Sequence, residues 1–144
     1  MKLFTLILLS VALGKSCSSQ TKNDLKTAVL EYTASTRGFY QKISIKDQTV
    51  SISKDRSGKD SPDATKISDA DWKELIGYFE TIDLDSLATL KAPTEKRFYD
   101  GSAIGNLKIV YKDKIYSTSA FDDGYPPEEI KRLVDKINTF ANKK

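Results

Sequence analysis

The sequence predicts an α+β fold: a two-layer sandwich with an antiparallel sheet of about five strands, ordered βββα-ββα, and two helices packed on one face. Three observations predict it. Two stretches alternate apolar and polar residues with a period of two, which marks strands with one buried face. Each is followed by apolar residues at i, i+3, i+4 and i+7, the stripe of an amphipathic helix. The chain has 144 residues, enough for one ordinary domain.

The elements follow in order. A first strand is expected over Lys26–Ser35, with Thr36-Arg37-Gly38 turning into a hairpin. In that hairpin Phe39, Ile43 and Ile45 face one way, and Tyr40, Lys42, Ser44 and Lys46 the other. Val50 and Ile52 then alternate with Thr49, Ser51 and Ser53, and the turn falls at Asp47-Gln48. Aspartate tolerates the left-handed backbone of such a turn. Residues 54–66 are a polar loop. Ser68 is the expected N-cap of the first helix, with Asp71 three residues on. Its stripe is Trp72, Leu75, Ile76 and Phe79.

Residues 83–105 are less regular. "DLDSLATL" reads as a short helical turn and "KAPTEKRFYDGSAIG" as a loop. The second hairpin sets Leu107, Ile109 and Tyr111 against Lys108, Val110 and Lys112, with its turn at Asp113-Lys114. The last helix opens at Pro126-Pro127-Glu128-Glu129. Proline suits the first helical position and acids there oppose the helix dipole. Ile130, Leu133, Val134, Ile137 and Phe140 form its stripe. The two hairpins also align without gaps: "KISIKDQTVSIS" and "KIVYKDKIYSTS" share six of twelve residues. So short a match reads as two hairpins solving one problem, or as an old duplication.

The first 16 residues have a different character. Lys2, an apolar run from Leu3 to Leu13 and the small residues around Ser16 are laid out as a secretory signal peptide. The run is too short to span a bilayer, which takes about 20 residues. Two kinds of processing fit: cleavage after Ser16 by ordinary signal peptidase, or lipoprotein processing with acylation of Cys17. Cys17 is the only cysteine. A lone thiol has no intrachain disulfide partner, and acylation accounts for it. The expected organisation is a signal peptide over 1–16, a polar tether over 17–25 and a single domain over 26–144.

Composition removes several function classes. Lys2 and Lys15 belong to the leader, so the rest carries 21 basic against 20 acidic residues. The charges are interspersed, without the basic patch of a nucleic-acid binder. There is no histidine. Histidine-based triads, metal sites and acid–base catalysis are therefore excluded, and one cysteine excludes thiolate metal clusters. No phosphate-binding glycine motif occurs. No cofactor and no catalytic residues are expected.

Three features are candidates for binding. "TRGFY" and "KRFYDG" each set an arginine beside two aromatics, and Arg37, Tyr40, Arg97, Tyr99 and Asp100 form a candidate recognition patch. The plainer reading places Phe39 and Phe98 in the core, with Arg97–Asp100 as a local ion pair. "FDDGYPPEE" adds Asp122, Asp123 and Tyr125, as a loop that positions the helix or touches a partner. Its spacing does not fit an EF-hand calcium loop. The outward Lys42, Ser44, Lys46, Ser51, Ser53, Lys108 and Lys112 form a Ser/Lys face. It carries no S-x-x-K or nucleophile-elbow motif that would make it a hydrolase.

"LGKSC" looks like the lipobox of bacterial lipoproteins, with Cys17 at the acylated position, and "SSQTKND" is similar to their polar tether. With that leader, "STRGFY", "RFYDGSA" and "FDDGYPPEEI" resemble uncharacterised small secreted or lipid-anchored proteins of Bacteroidota. The resemblance implies a compartment, the cell envelope, with the chain lipid-anchored to the outer membrane; soluble periplasmic or secreted protein is the alternative. It implies no activity. The expected function is a non-enzymatic binding module for an envelope protein partner. The alternative is a small-ligand or carbohydrate binder built on Tyr40, Tyr99, Tyr125 and neighbouring acids. An enzyme would need two carboxylates in one cleft.

Overall fold

The computed structural model describes residues 23–143. The expected signal peptide, Cys17 and the tether up to residue 22 lie outside the described residues. Within them the chain is an α+β sandwich with an open antiparallel sheet. Five longer strands are β1 (Val29–Ser35), β2 (Tyr40–Lys46), β3 (Thr49–Ser53), β5 (Ile104–Tyr111) and β6 (Lys114–Ser117). Two strands of two residues each, β4 (Thr65–Lys66) and β7 (Phe121–Asp122), were too short to carry a period-two signal. The order across the sheet is β4-β3-β2-β1-β5-β6. β7 lies on the same side of β5 as β6, pairing its first residues while β6 pairs its last.

The domain starts earlier than the tether boundary at 25 suggests. The Asn23 side-chain amide donates to the carbonyls of Phe79 (3.4 Å) and Ile82 (2.8 Å). The Asp24 N–H donates to the Tyr111 hydroxyl at 3.1 Å. Leu25 is completely buried. β1 then begins three residues later than expected, because Leu25–Thr27 form a 3-10 turn capped by the Asp24 carboxylate.

Alternation decides which residues face inward. Leu30 stands between Ile45 and Ile109, and Tyr32 between Ile43 and Leu107. All six are completely buried. Against them pack α1 (Asp69–Glu80) through Trp72, Leu75 and Phe79, and α2 (Lys131–Asn142) through Leu133, Val134, Ile137 and Phe140. Ser68 caps α1 as expected, its hydroxyl accepting from the Asp71 N–H at 3.2 Å. The run at Glu128–Ile130 is a 3-10 turn that leads into α2. Truncating Phe79 to alanine would cost about 3–5 kcal/mol, the usual penalty for emptying a packed aromatic site.

The two hairpins make the same kind of turn at different places in the alignment. Asp47 and Gln48 have φ of 49° and 59°, and Lys112 and Asp113 of 50° and 62°. Two successive left-handed residues make the turn whose twist matches the strands. The second turn therefore sits one residue earlier than Asp113-Lys114. Ile45 pairs with Val50, whereas its aligned counterpart Tyr111 pairs with Lys114 rather than Tyr116. Pairing is displaced by two residues between the matching segments. An even shift keeps the same residues inward, so the match does not extend to strand register.

Among the described residues, neither α1 nor α2 packs on the other face of the sheet. Ser51, Ser44, Glu31, Lys108 and Ser117 run across it in one row, with Lys108 paired to Glu31. Ser53 departs from the expected Ser/Lys face. It is buried under the following loop, its hydroxyl bonded to Asp60 at 2.7 Å.

Candidate functional site

The candidate site lies at one end of the open face, where β1 and β2 meet the segment before β5. It is an open groove of about 570 Å³ lined by Arg37, Arg56, Arg97 and Asp100, with Ser35, Ser102 and Ile104 among the rest. Arg37, Arg97 and Asp100, expected from two separate motifs, thus meet in one place. Arg56 was read only as part of a polar loop.

Each arginine is placed by a different device. Arg37 is exposed in the β1–β2 turn and has no hydrogen bond or ion pair among the described residues. Arg56 is placed by the loop after β3. The Asp55 carboxylate accepts the N–H groups of Ser57 (2.8 Å), Lys59 (3.0 Å) and Asp60 (3.1 Å). The Ser57 hydroxyl, followed by these backbone bonds, holds Asp55 below the usual carboxylate range. Arg56 then reaches back to the β1–β2 turn. Its Nη2 donates to the carbonyls of Thr36 and, at 3.1 Å, Phe39, while its guanidinium lies 5.5 Å from the centre of the Tyr40 ring. Tyr40 therefore supports an arginine rather than lining the groove.

Arg97 is held from behind by Asp122. That carboxylate is completely buried. It accepts the Thr94 hydroxyl (2.5 Å), the N–H groups of Lys96 (2.7 Å) and Arg97 (2.9 Å), and Arg97 Nη1 (3.2 Å). Burial pushes its pKa up. The bonds from Thr94, from the two N–H groups and from the guanidinium outweigh that and hold it at about 2. Arg97 Nη1 also donates to the Thr94 carbonyl at 2.8 Å. The plainer reading of this motif is corrected on two counts. Arg97 pairs with Asp122, not Asp100, and Phe98 is 72% exposed. Asp100 instead ends the 3-10 turn Lys96–Tyr99 in a left-handed conformation, φ 58°. The Gly101 N–H then closes onto the Lys96 carbonyl at 2.8 Å. A side chain at Gly101 would strike the Tyr99 ring at 2.8 Å.

The remaining candidates go elsewhere. Asp122 is an internal anchor with no surface to offer. Asp123 lines a second groove of about 520 Å³ between β2 and α2, with Phe39, Gln41 and Asp135. Asp123 and Asp135 thus share a groove, and Asp123 accepts the Tyr32 hydroxyl at 2.5 Å. Burial, and then this bond, push the Tyr32 pKa far above its ordinary value, so it stays a donor. Tyr99 and Tyr125 are exposed, and the Lys96 ammonium lies 4.1 Å from the centre of the Tyr125 ring. Neither ring, nor Tyr40, lines either groove. Among the described residues no cluster of acids and cysteine has the makings of a metal site, and no helix is long and apolar enough to cross a membrane.

Chemically, the first groove presents guanidinium groups, hydroxyls and one exposed isoleucine. Ile104 is 46% exposed at its edge. Guanidinium forks suit planar oxyanions. No family model, curated protein or solved structure matches this chain.

Proposed function

We propose that this protein is a non-catalytic binding module of the cell envelope. In this reading the leader exports it, lipid on Cys17 tethers it, and the arginine groove engages an anionic group on a protein partner. The observation that supports it is the meeting of Arg37, Arg56 and Arg97, from three separate segments, in one groove with a single acid. Arg37 has no hydrogen-bond or ion-pair partner among the described residues, which leaves its donors for a ligand. The exposed Phe98 and Tyr99 beside the arginines add the residue types enriched at protein interfaces.

The test uses the tagged full chain in a Bacteroidota host, with a photocrosslinking residue at Ser102. A discrete crosslinked envelope protein is expected, lost in Arg37→Glu and retained in Lys108→Glu on the same face. Identical products from all three chains would refute the groove as the binding surface. Cys17→Ser should release the protein from membranes and abolish fatty-acid labelling. An unchanged membrane fraction would remove the anchor from the proposal.

A further inference from the structure

We infer that the arginine groove takes a single carboxylate carried on an apolar body, such as the C-terminus of a peptide or a small hydrophobic acid. This rests on the reading of the groove as a binding site and names its ligand class. Charge balance comes first. Arg37, Arg56 and Arg97 stand against Asp100 at the groove and Asp122 behind it. One positive charge is left over, which a monoanion neutralises and a phosphate dianion overshoots. Donor geometry comes second. Phosphate is commonly cradled by successive backbone N–H groups. The successive N–H groups of Lys96 and Arg97 are already taken by the chain's own Asp122. The charged side-chain donors at the groove are guanidinium groups, whose paired donors match the two oxygens of a carboxylate.

The donors are available. Arg56 spends Nη2 on two carbonyls, and Arg97 spends Nη1 on Thr94 and Asp122. Among the described residues each keeps the donors of its other nitrogens, and Arg37 keeps all of its own. The apolar part of the ligand has a place as well. Ile104 lines the groove half-exposed, and the exposed Phe98 ring lies 4.4 Å from the Arg97 guanidinium. A volume of about 570 Å³ is that of a site for a ligand of several residues or a small organic acid, much larger than an inorganic ion needs.

The experiment is an NMR titration of the ¹⁵N-labelled full-length chain carrying Cys17→Ser, at low salt. The probes are N-acetyl-Leu-Phe as the free acid, its amide, phenylacetate and inorganic phosphate, each to millimolar concentration. The free acid should move the amide signals of Arg37, Gly38, Ser102 and Ile104 saturably, binding at least about tenfold tighter than the amide. Arg37→Ala should abolish the effect, and Arg37→Lys should restore only part of it, since a point charge replaces the fork. Phenylacetate matching the peptide acid would identify a small acid as the ligand; binding of the peptide acid alone would identify a chain end. Either result supports the inference. Equal binding of acid and amide, phosphate binding as tightly as the acid, an unaffected Arg37→Ala, or no response in the groove to any probe would overturn it. If the acids fail while Arg37→Glu still loses the crosslinked partner, the binding-module reading stands and the carboxylate falls.

Discussion

The two arginine–aromatic loops, TRGFY and KRFYDG, look alike in sequence and are opposites in the fold. Arg37 is exposed in a turn and makes no hydrogen bond or ion pair among the described residues. Arg97 is largely buried, with one nitrogen tied to a buried carboxylate and a carbonyl. The difference comes from a residue 25 positions away from Arg97, Asp122, which no local pattern links to it. One loop is built into the structure and the other is left free. The first fixes the shape of the groove, and the second has a guanidinium to offer.

Breaking the anchor should have the largest effect. Asp122→Ala removes the acceptor of four bonds and leaves the Thr94 hydroxyl, two N–H groups and a guanidinium without it. Thermal unfolding should show a melting temperature lowered by many degrees, with the groove signals displaced in an NMR spectrum. A melting temperature equal to the parent's would erase the contrast between the loops.

Acid should do the same thing gradually. The folded pKa of Asp122, about 2, lies below its ordinary value of 3.8. Its stabilising contribution is therefore complete above the ordinary value and is lost as pH falls through about 2. Urea unfolding between pH 5 and pH 2 should show a fall in stability that is shallower in Asp122→Asn. Parallel curves for the two proteins would contradict the role given to this carboxylate.

The arginines themselves come last. Arg97→Ala leaves Asp122 its hydroxyl and backbone donors and should cost about 1–3 kcal/mol by denaturant unfolding. Arg37→Ala should stay within about 0.5 kcal/mol of the parent, as expected for an exposed side chain. Similar losses from both would mean that the two loops are structurally equivalent after all.

Much of the framework was legible in residue order because it depends on local periodicity. Ile43 and Ile45, Leu107 and Ile109, and the stripe from Ile130 to Phe140 could each be assigned a face from their neighbours alone. The features that were missed depend on distance. β4 and β7 pair for two residues each, too few to alternate. The turn at Lys112-Asp113 escaped because lysine carries no left-handed preference of its own; strand register decides there. Arg37, Arg97 and Asp100 were picked out by residue type, and the structure unites them in one groove. Arg56 was not picked out, because its role rests on carbonyls 20 and 17 residues earlier in the chain. Asp122 was picked out as part of a loop that positions the helix or touches a partner; its donors, from Thr94 to Arg97, lie 25 to 28 residues earlier and leave no local trace.

The docking of Asn23 and Asp24 has a consequence for orientation. These residues join the domain at the C-terminal end of α1 and beside Tyr111, where β1 starts. The groove lies where β1 ends, at Ser35. Six strand steps of about 3.4 Å separate those two ends by about 20 Å. A domain suspended from its N-terminus would hang with the arginines pointing away from whatever surface holds it. In the tethered state proposed above, a ligand would reach the groove from the side opposite the anchor.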